Sequence, residues 1–185
     1  MANNYTNFSF LVPLHTDAEK AWWTKLFNDY ADICDGGDID DAATSSNETK
    51  QKLLEILDSN APGDYYGIGV NWEIFDSSEN QRHHPGINVW ISDSDGGGDL
   101  DRIAQIIRLF LADNNRTDCI IFSWADWCDR PRINNFGGGT FYVSAGELGC
   151  ISTHHIEESA RRQFQSLGHF EDRLGMIDDP NSMKV

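Results

Sequence analysis

Tyr66, Ile68, Val70, Trp72 and Ile74 alternate with Gly67, Gly69, Asn71 and Glu73. A period of two puts the large apolar side chains on one face of an extended strand and the small or polar ones on the other. A strand of that kind is buried on one side only. The chain must therefore build a sheet with one covered face and one open face. Gly67, Gly69, Asn71 and Glu73 belong to the open face, which is a candidate partner surface.

Other segments supply the remaining layers. Residues 6–14, with Phe8, Phe10 and Val12 alternating, read as a first strand that Pro13 closes. The following segment reads as a helix capped by Thr16 or Asp17, with Trp22, Leu26 and Tyr30 as its stripe and Trp23 and Phe27 beside them. A second helix carries Leu53, Leu54 and Leu57, and Pro62-Gly63 ends it. The alternating strand pairs with "INVWIS" as a long-looped hairpin. A strong helix with Leu100, Ile103, Ile107 and Phe110 follows, then "CIIFSWADW" and its hairpin partner "GTFYVSA". Ile156, Ala160, Phe164 and Leu167 mark a final helix.

The order is β-α-(α)-β-β-α-β-β-α. It predicts an α+β fold with a mainly antiparallel sheet of about five strands and helices packed on one face. The first six main elements match a ferredoxin-like β-α-β-β-α-β arrangement. Residues 1–168 form one domain in this reading, interrupted by an acidic loop at 34–49. Residues 169–185 form a polar tail.

Charge then narrows the function. Fourteen Lys and Arg stand against thirty Asp and Glu, a formal charge of −16. A chain so negative lacks the counter-charge that phosphate backbones and anionic lipids require, so neither direct nucleic-acid binding nor membrane binding is expected. It attracts basic partners instead. The opening residues carry no basic region of a secretory signal, and no apolar run is long enough to span a bilayer. Cys34, Cys119, Cys128 and Cys150 form no C-x-x-C pair. Reduced thiols in the cytoplasm are the expectation.

Motifs for chemistry are weak. "NNFGGGTFYV" leads into a strand, not a helix, and no Walker lysine follows. "SDSDGGGDLDR" leads into a helix but is crowded by Asp93, Asp95, Asp99 and Asp101, which would repel a phosphate. An EF-hand loop beginning at Asp93 would need a glutamate where Ala104 stands. Asp99 reads instead as a helix cap. Cys128, Cys150 and His154, with His155 or His169 nearby, are the only residues that suggest a soft metal site. No Gly-x-Ser-x-Gly or His-Glu-x-x-His occurs. No cofactor is expected.

The block Ser123–Ala145 resembles one found in uncharacterised proteins of phages, plasmids and other mobile elements. The shared features are Trp127-Cys128, Arg130-Pro131-Arg132, Phe136 to Gly139, and Phe141 to Ala145. The start of the chain, through Trp22-Trp23, is similar to that family's start. The resemblance implies a fold and an origin, and no activity. Asp129 departs from the family, where a small polar residue is more usual, and the acidic loop is longer here.

The function expected is a non-enzymatic phage or mobile-element protein that binds and modulates a basic host protein. An anti-defence inhibitor with a nucleic-acid-like acidic surface is the specific form. Trp23, Trp90 and Trp127 are the expected exposed anchors. Asp38, Asp40, Asp41, Asp93 and Asp95 are the expected acidic contacts. The competing expectations are a small metal-dependent enzyme centred on Cys128, Cys150 and His154, and an immunity protein that neutralises a toxin. A homodimer through an edge strand is also open.

Overall fold

A computed structural model describes residues 4–34, 48–58, 67–76, 86–94, 97–128 and 137–166. Asp38, Asp40, Asp41, Asp95 and the Arg130-Pro131-Arg132 run lie outside the described residues, as do most of the acidic loop and the tail. The chain divides into two compact units, Met1–Cys150 and Ile151–Val185.

The first unit is α+β. Strand β1 (Asn4–Leu14) leads to helix α1 (Asp17–Cys34) and helix α2 (Glu48–Asp58). Strands β2 (Val70–Asp76) and β3 (Ile87–Asp93) follow, then helix α3 (Leu100–Asp113). Strands β4 (Ile120–Cys128), β5 (Gly137–Val143) and β6 (Leu148–Ser152) complete the sheet. Helix α4 (Thr153–Ser166) belongs to the second unit and is amphipathic in sequence, with Ile156 exposed.

The sheet has six strands in the order β2-β3-β1-β4-β5-β6, and the pairs from β2 through β5 are all antiparallel. Its first four strands have the order and directions of a ferredoxin-like core. The sixth strand is one more than the sequence predicts. Ser144 N–H donates to the Glu147 carbonyl at 2.8 Å, which turns the chain back for a short edge strand. That strand has no apolar alternation to announce it.

The covered face is built from the alternating positions. Phe8 and Val12 of β1, Val89 and Ile91 of β3, Ile120 and Phe122 of β4, and Phe141 and Val143 of β5 are buried. They share one core with Leu26, Ile33, Leu53, Leu57, Ile103, Ile107 and Phe110 of α1 to α3. Burial of this apolar surface is the main term holding the layers together.

Trp23 is corrected from exposed anchor to core. It is 0% exposed, and its ring packs against Phe110 at 5.3 Å and Phe27 at 5.6 Å. Two adjacent tryptophans cannot both face the sheet, and α1 is rotated to bury Trp23, Leu26 and Ile33. Trp22 sits at the margin and donates Nε1–H to Asp113 at 3.1 Å. Thr16 Oγ1 accepts from the Glu19 amide, and Asp99 accepts from the Arg102 amide at 3.0 Å, capping α1 and α3. No described helix is long and apolar enough to cross a membrane.

Candidate functional site

Strand β1 changes partner halfway along its length. Asn4 to Phe8 pair with Cys128 to Trp124 of β4. Ser9 to Leu14 pair with Ser92 to Ile87 of β3. Beyond Phe8 the β1–β4 ladder stops, and the two strands part. The result is a cleft of about 880 Å³ on the open face of the sheet. Ser9, Leu11 and Pro13 line one side, Asp118 to Ile121 the other, and Glu73, Phe75, Asn88 and Trp90 extend it over β2 and β3.

Phe10 also lines the cleft. By alternation its side chain belongs to the covered face, where it stacks on Phe122 at 4.3 Å. It is partly exposed and lies where β1 and β4 part.

Arg116 holds the far end of the parting. Its Nη1 donates to the Pro13 carbonyl at 3.1 Å and to Glu19 Oε2 at 3.1 Å. Its Nε donates to Asp118 Oδ1 at 2.6 Å, and Nη2 donates to the other Asp118 oxygen. The bidentate pair is the geometry that suits a planar guanidinium. Glu19 also accepts from the His15 amide at 2.6 Å, so this buried carboxylate is well partnered. Arg116 thus stands in for the missing ladder bonds between the end of β1 and the start of β4.

The hydrogen bond and charge of Arg116 hold the Asp118 carboxyl below the usual carboxylate range. The folded value lies below the unfolded one. Its stabilising contribution is therefore present above the unfolded value and lost as pH falls through the folded value. The stability difference between the wild type and Asp118→Asn, read from urea melts, is expected to shrink as pH drops below about 4. A difference that stays constant down to about pH 2.5 would remove the pairing as a contributor.

The rest of the open face is partly apolar. Trp90 is 39% exposed, Ile121 66%, Trp127 41% and Tyr142 41%. Trp90 donates Nε1–H to Ser9 Oγ at 2.8 Å. Trp127 donates to Asn7 Oδ1 and stacks on Tyr5 at 4.6 Å. Ile121 and Tyr142 are cross-strand neighbours, and the Tyr142 ring lies over Gly149, where a side chain would collide with it. These contacts fix the aromatic rings in place. No strand of the sheet contains a Lys or Arg.

The remaining sequence candidates fall elsewhere. Asp93 accepts from Asn7 Nδ2 at 2.8 Å and from the Phe8 amide at 3.1 Å, which secures β1 at the point where it changes partner. Cys128 is buried at the end of β4. Cys150 lies on β6, separated from β4 by β5. Burial, with the Asp101 carboxylate adding to it, pushes the Cys150 thiol up, away from the thiolate that a metal or a nucleophile needs. His154 is exposed and pairs with Glu158 at 3.7 Å. Among the described residues no group of three or more His, Cys, Asp or Glu is placed to hold a metal.

Sequence reasoning missed the cleft and the Glu19–Arg116–Asp118 cluster. Arg116 lies three residues past the end of α3 and looks like any solvated residue after a helix. Comparison with family models, with curated proteins and with solved structures finds no match.

Proposed function

We propose that this chain is a non-catalytic acidic binding protein that engages a basic host protein through the open face of its sheet. One observation carries the reading. Trp90, Ile121, Trp127 and Tyr142 stand exposed together on a face whose strands hold no Lys or Arg. Rigid exposed aromatics are what interfaces use as anchors. A four-stranded ferredoxin-like face with aromatic side chains also suits stacking of RNA bases. That use needs cations for the phosphates, and the strands offer Glu73, Asp76, Asp93 and Asp126 instead.

Among the described residues, Cys119 lines the cleft without a histidine alongside. Cys34, Cys119 and Cys150 are free thiols, in keeping with a reducing host cytoplasm. The mobile-element origin and the anti-defence role rest on the resemblance of the Trp127–Ala145 block and on the charge of −16.

The test is capture of partners from host lysate by the wild type and by Ile121→Lys/Tyr142→Lys. The wild type is expected to retain a basic protein at low salt and release it at high salt, since screened charges lose their attraction. The double variant keeps its fold and loses that protein. Retention indifferent to salt, or equal retention by the variant, would overturn the reading.

A further inference from the structure

We infer that the cleft between β1 and β4 is a receptor pocket for a single arginine side chain of the basic partner. This rests on the binding-face reading above and sharpens it. Three observations place the pocket there. First, Trp90 of β3 is held by its Nε1 bond to Ser9 at 2.8 Å and stands half-exposed at the edge of the cleft. Second, Glu73 of β2 is the direct cross-strand neighbour of Trp90 on the same face. Among the described residues Glu73 has neither an ion pair nor a hydrogen bond, although other carboxylates around the cleft are engaged. Asp118 pairs with Arg116, and Asp93 accepts from β1. Third, Phe10 and Leu11 give the cleft an apolar lining where β1 and β4 part.

The chemistry of that combination selects the occupant. An exposed indole attracts a cation to its face, and the attraction grows as water is excluded. An unpaired carboxylate beside it supplies the counter-charge. An apolar lining suits a methylene stem. Arginine meets all three demands together, because its planar head stacks on an aromatic ring while its edge presents a fork of donors to a carboxylate. Lysine offers a strongly hydrated point charge that cannot do both. Among the described residues the one guanidinium near the cleft is that of Arg116, and it is taken up by Glu19, Asp118 and Pro13.

The probe is N-acetyl-arginine N-methylamide, titrated at millimolar concentration into the ¹⁵N-labelled full chain. The readout is the Trp90 indole N–H resonance, assigned by its absence in Trp90→Phe. A saturable shift of that resonance is expected, with the Trp127 resonance unmoved. The citrulline amide, which keeps the shape and removes the charge, gives no shift. Glu73→Gln weakens the arginine effect by roughly fivefold, as loss of one charge-assisted contact would. The lysine amide binds more weakly than the arginine amide. An equal shift from citrulline, an equal affinity for lysine, or an unchanged affinity in Glu73→Gln overturns the pocket. If arginine moves Trp127 and leaves Trp90 still, the pocket falls while the binding face stands. If Trp90 titrates as expected but Tyr142→Lys, which leaves the cleft lining untouched, still captures the partner, the pocket stands and the wider face falls.

Discussion

Replacement of Arg116 by methionine is expected to lower the unfolding free energy by about 3–5 kcal/mol, the cost of leaving one partner of a buried ion pair behind. The side chains of Arg116 and Glu19 are each 6% exposed and meet at 3.1 Å. Methionine fills much of the same volume and can still pack on Phe110, over whose ring the guanidinium lies at 5.7 Å. The loss is therefore chiefly electrostatic. It strands the Glu19 charge in the interior and leaves the Pro13 carbonyl without its donor. The double variant Arg116→Met/Glu19→Gln separates this cause from lost packing. A neutral amide there can still accept from the His15 amide, so the double variant should recover at least half of the loss. Urea unfolding at neutral pH measures both. A single-variant cost below about 1 kcal/mol, the level of an exposed pair, would show that water reaches the site. Costs that simply add would show that the two groups are not coupled.

That cluster also marks the limit of what the sequence makes legible. The alternation through Val70, Trp72 and Ile74 and the α3 stripe of Ile103, Ile107 and Phe110 are local patterns, and the elements they predict are present. The ferredoxin-like order follows from those elements because hairpins and crossovers leave few ways to arrange them. The parting of β1 from β4 has no local pattern. Phe8 and Phe10 read as the same kind of residue, yet the ladder passes from β4 to β3 between Phe8 and Ser9. Glu19 and Arg116 are 97 residues apart, and each alone looks like a solvated charge. Trp22 and Trp23 are adjacent, so composition cannot say which one the helix buries. Asp93 was legible as an acidic residue in a turn. That it accepts from Asn7 and Phe8 depends on β1 lying beside β3. Of the expected anchors, Trp90 and Trp127 stand exposed on the sheet face opposite the apolar core residues Val89 and Ile91 of β3 and Phe122 of β4.

Substitution of Gly138 by alanine is expected to destabilise the protein by about 2–5 kcal/mol, combining backbone strain with a forced overlap. The sequence reading begins this strand at Gly139, yet Gly137 and Gly138 are strand residues as well, the three glycines pairing with Asp126, Ala125 and Trp124. Gly138 has φ of 149°, a conformation that L side chains rarely adopt. A Cβ there would overlap the Trp124 carbonyl oxygen and stand 3.2 Å from the Ala125 Cα. Both obstacles are backbone, so no rotamer change relieves them. Relief requires β5 to move away from β4, which would disturb the Ser123–Thr140 hydrogen bond and the Ile121–Tyr142 pair on the open face. Gly146→Ala is the control, since its added methyl meets nothing within 4 Å and its φ is ordinary. That variant should stay within about 0.5 kcal/mol of the wild type, as surface changes do. A Gly138→Ala protein as stable as the control would mean that β5 has a second backbone path along β4. The positions of Ile121 and Tyr142 on the proposed binding face would then not depend on the triple glycine.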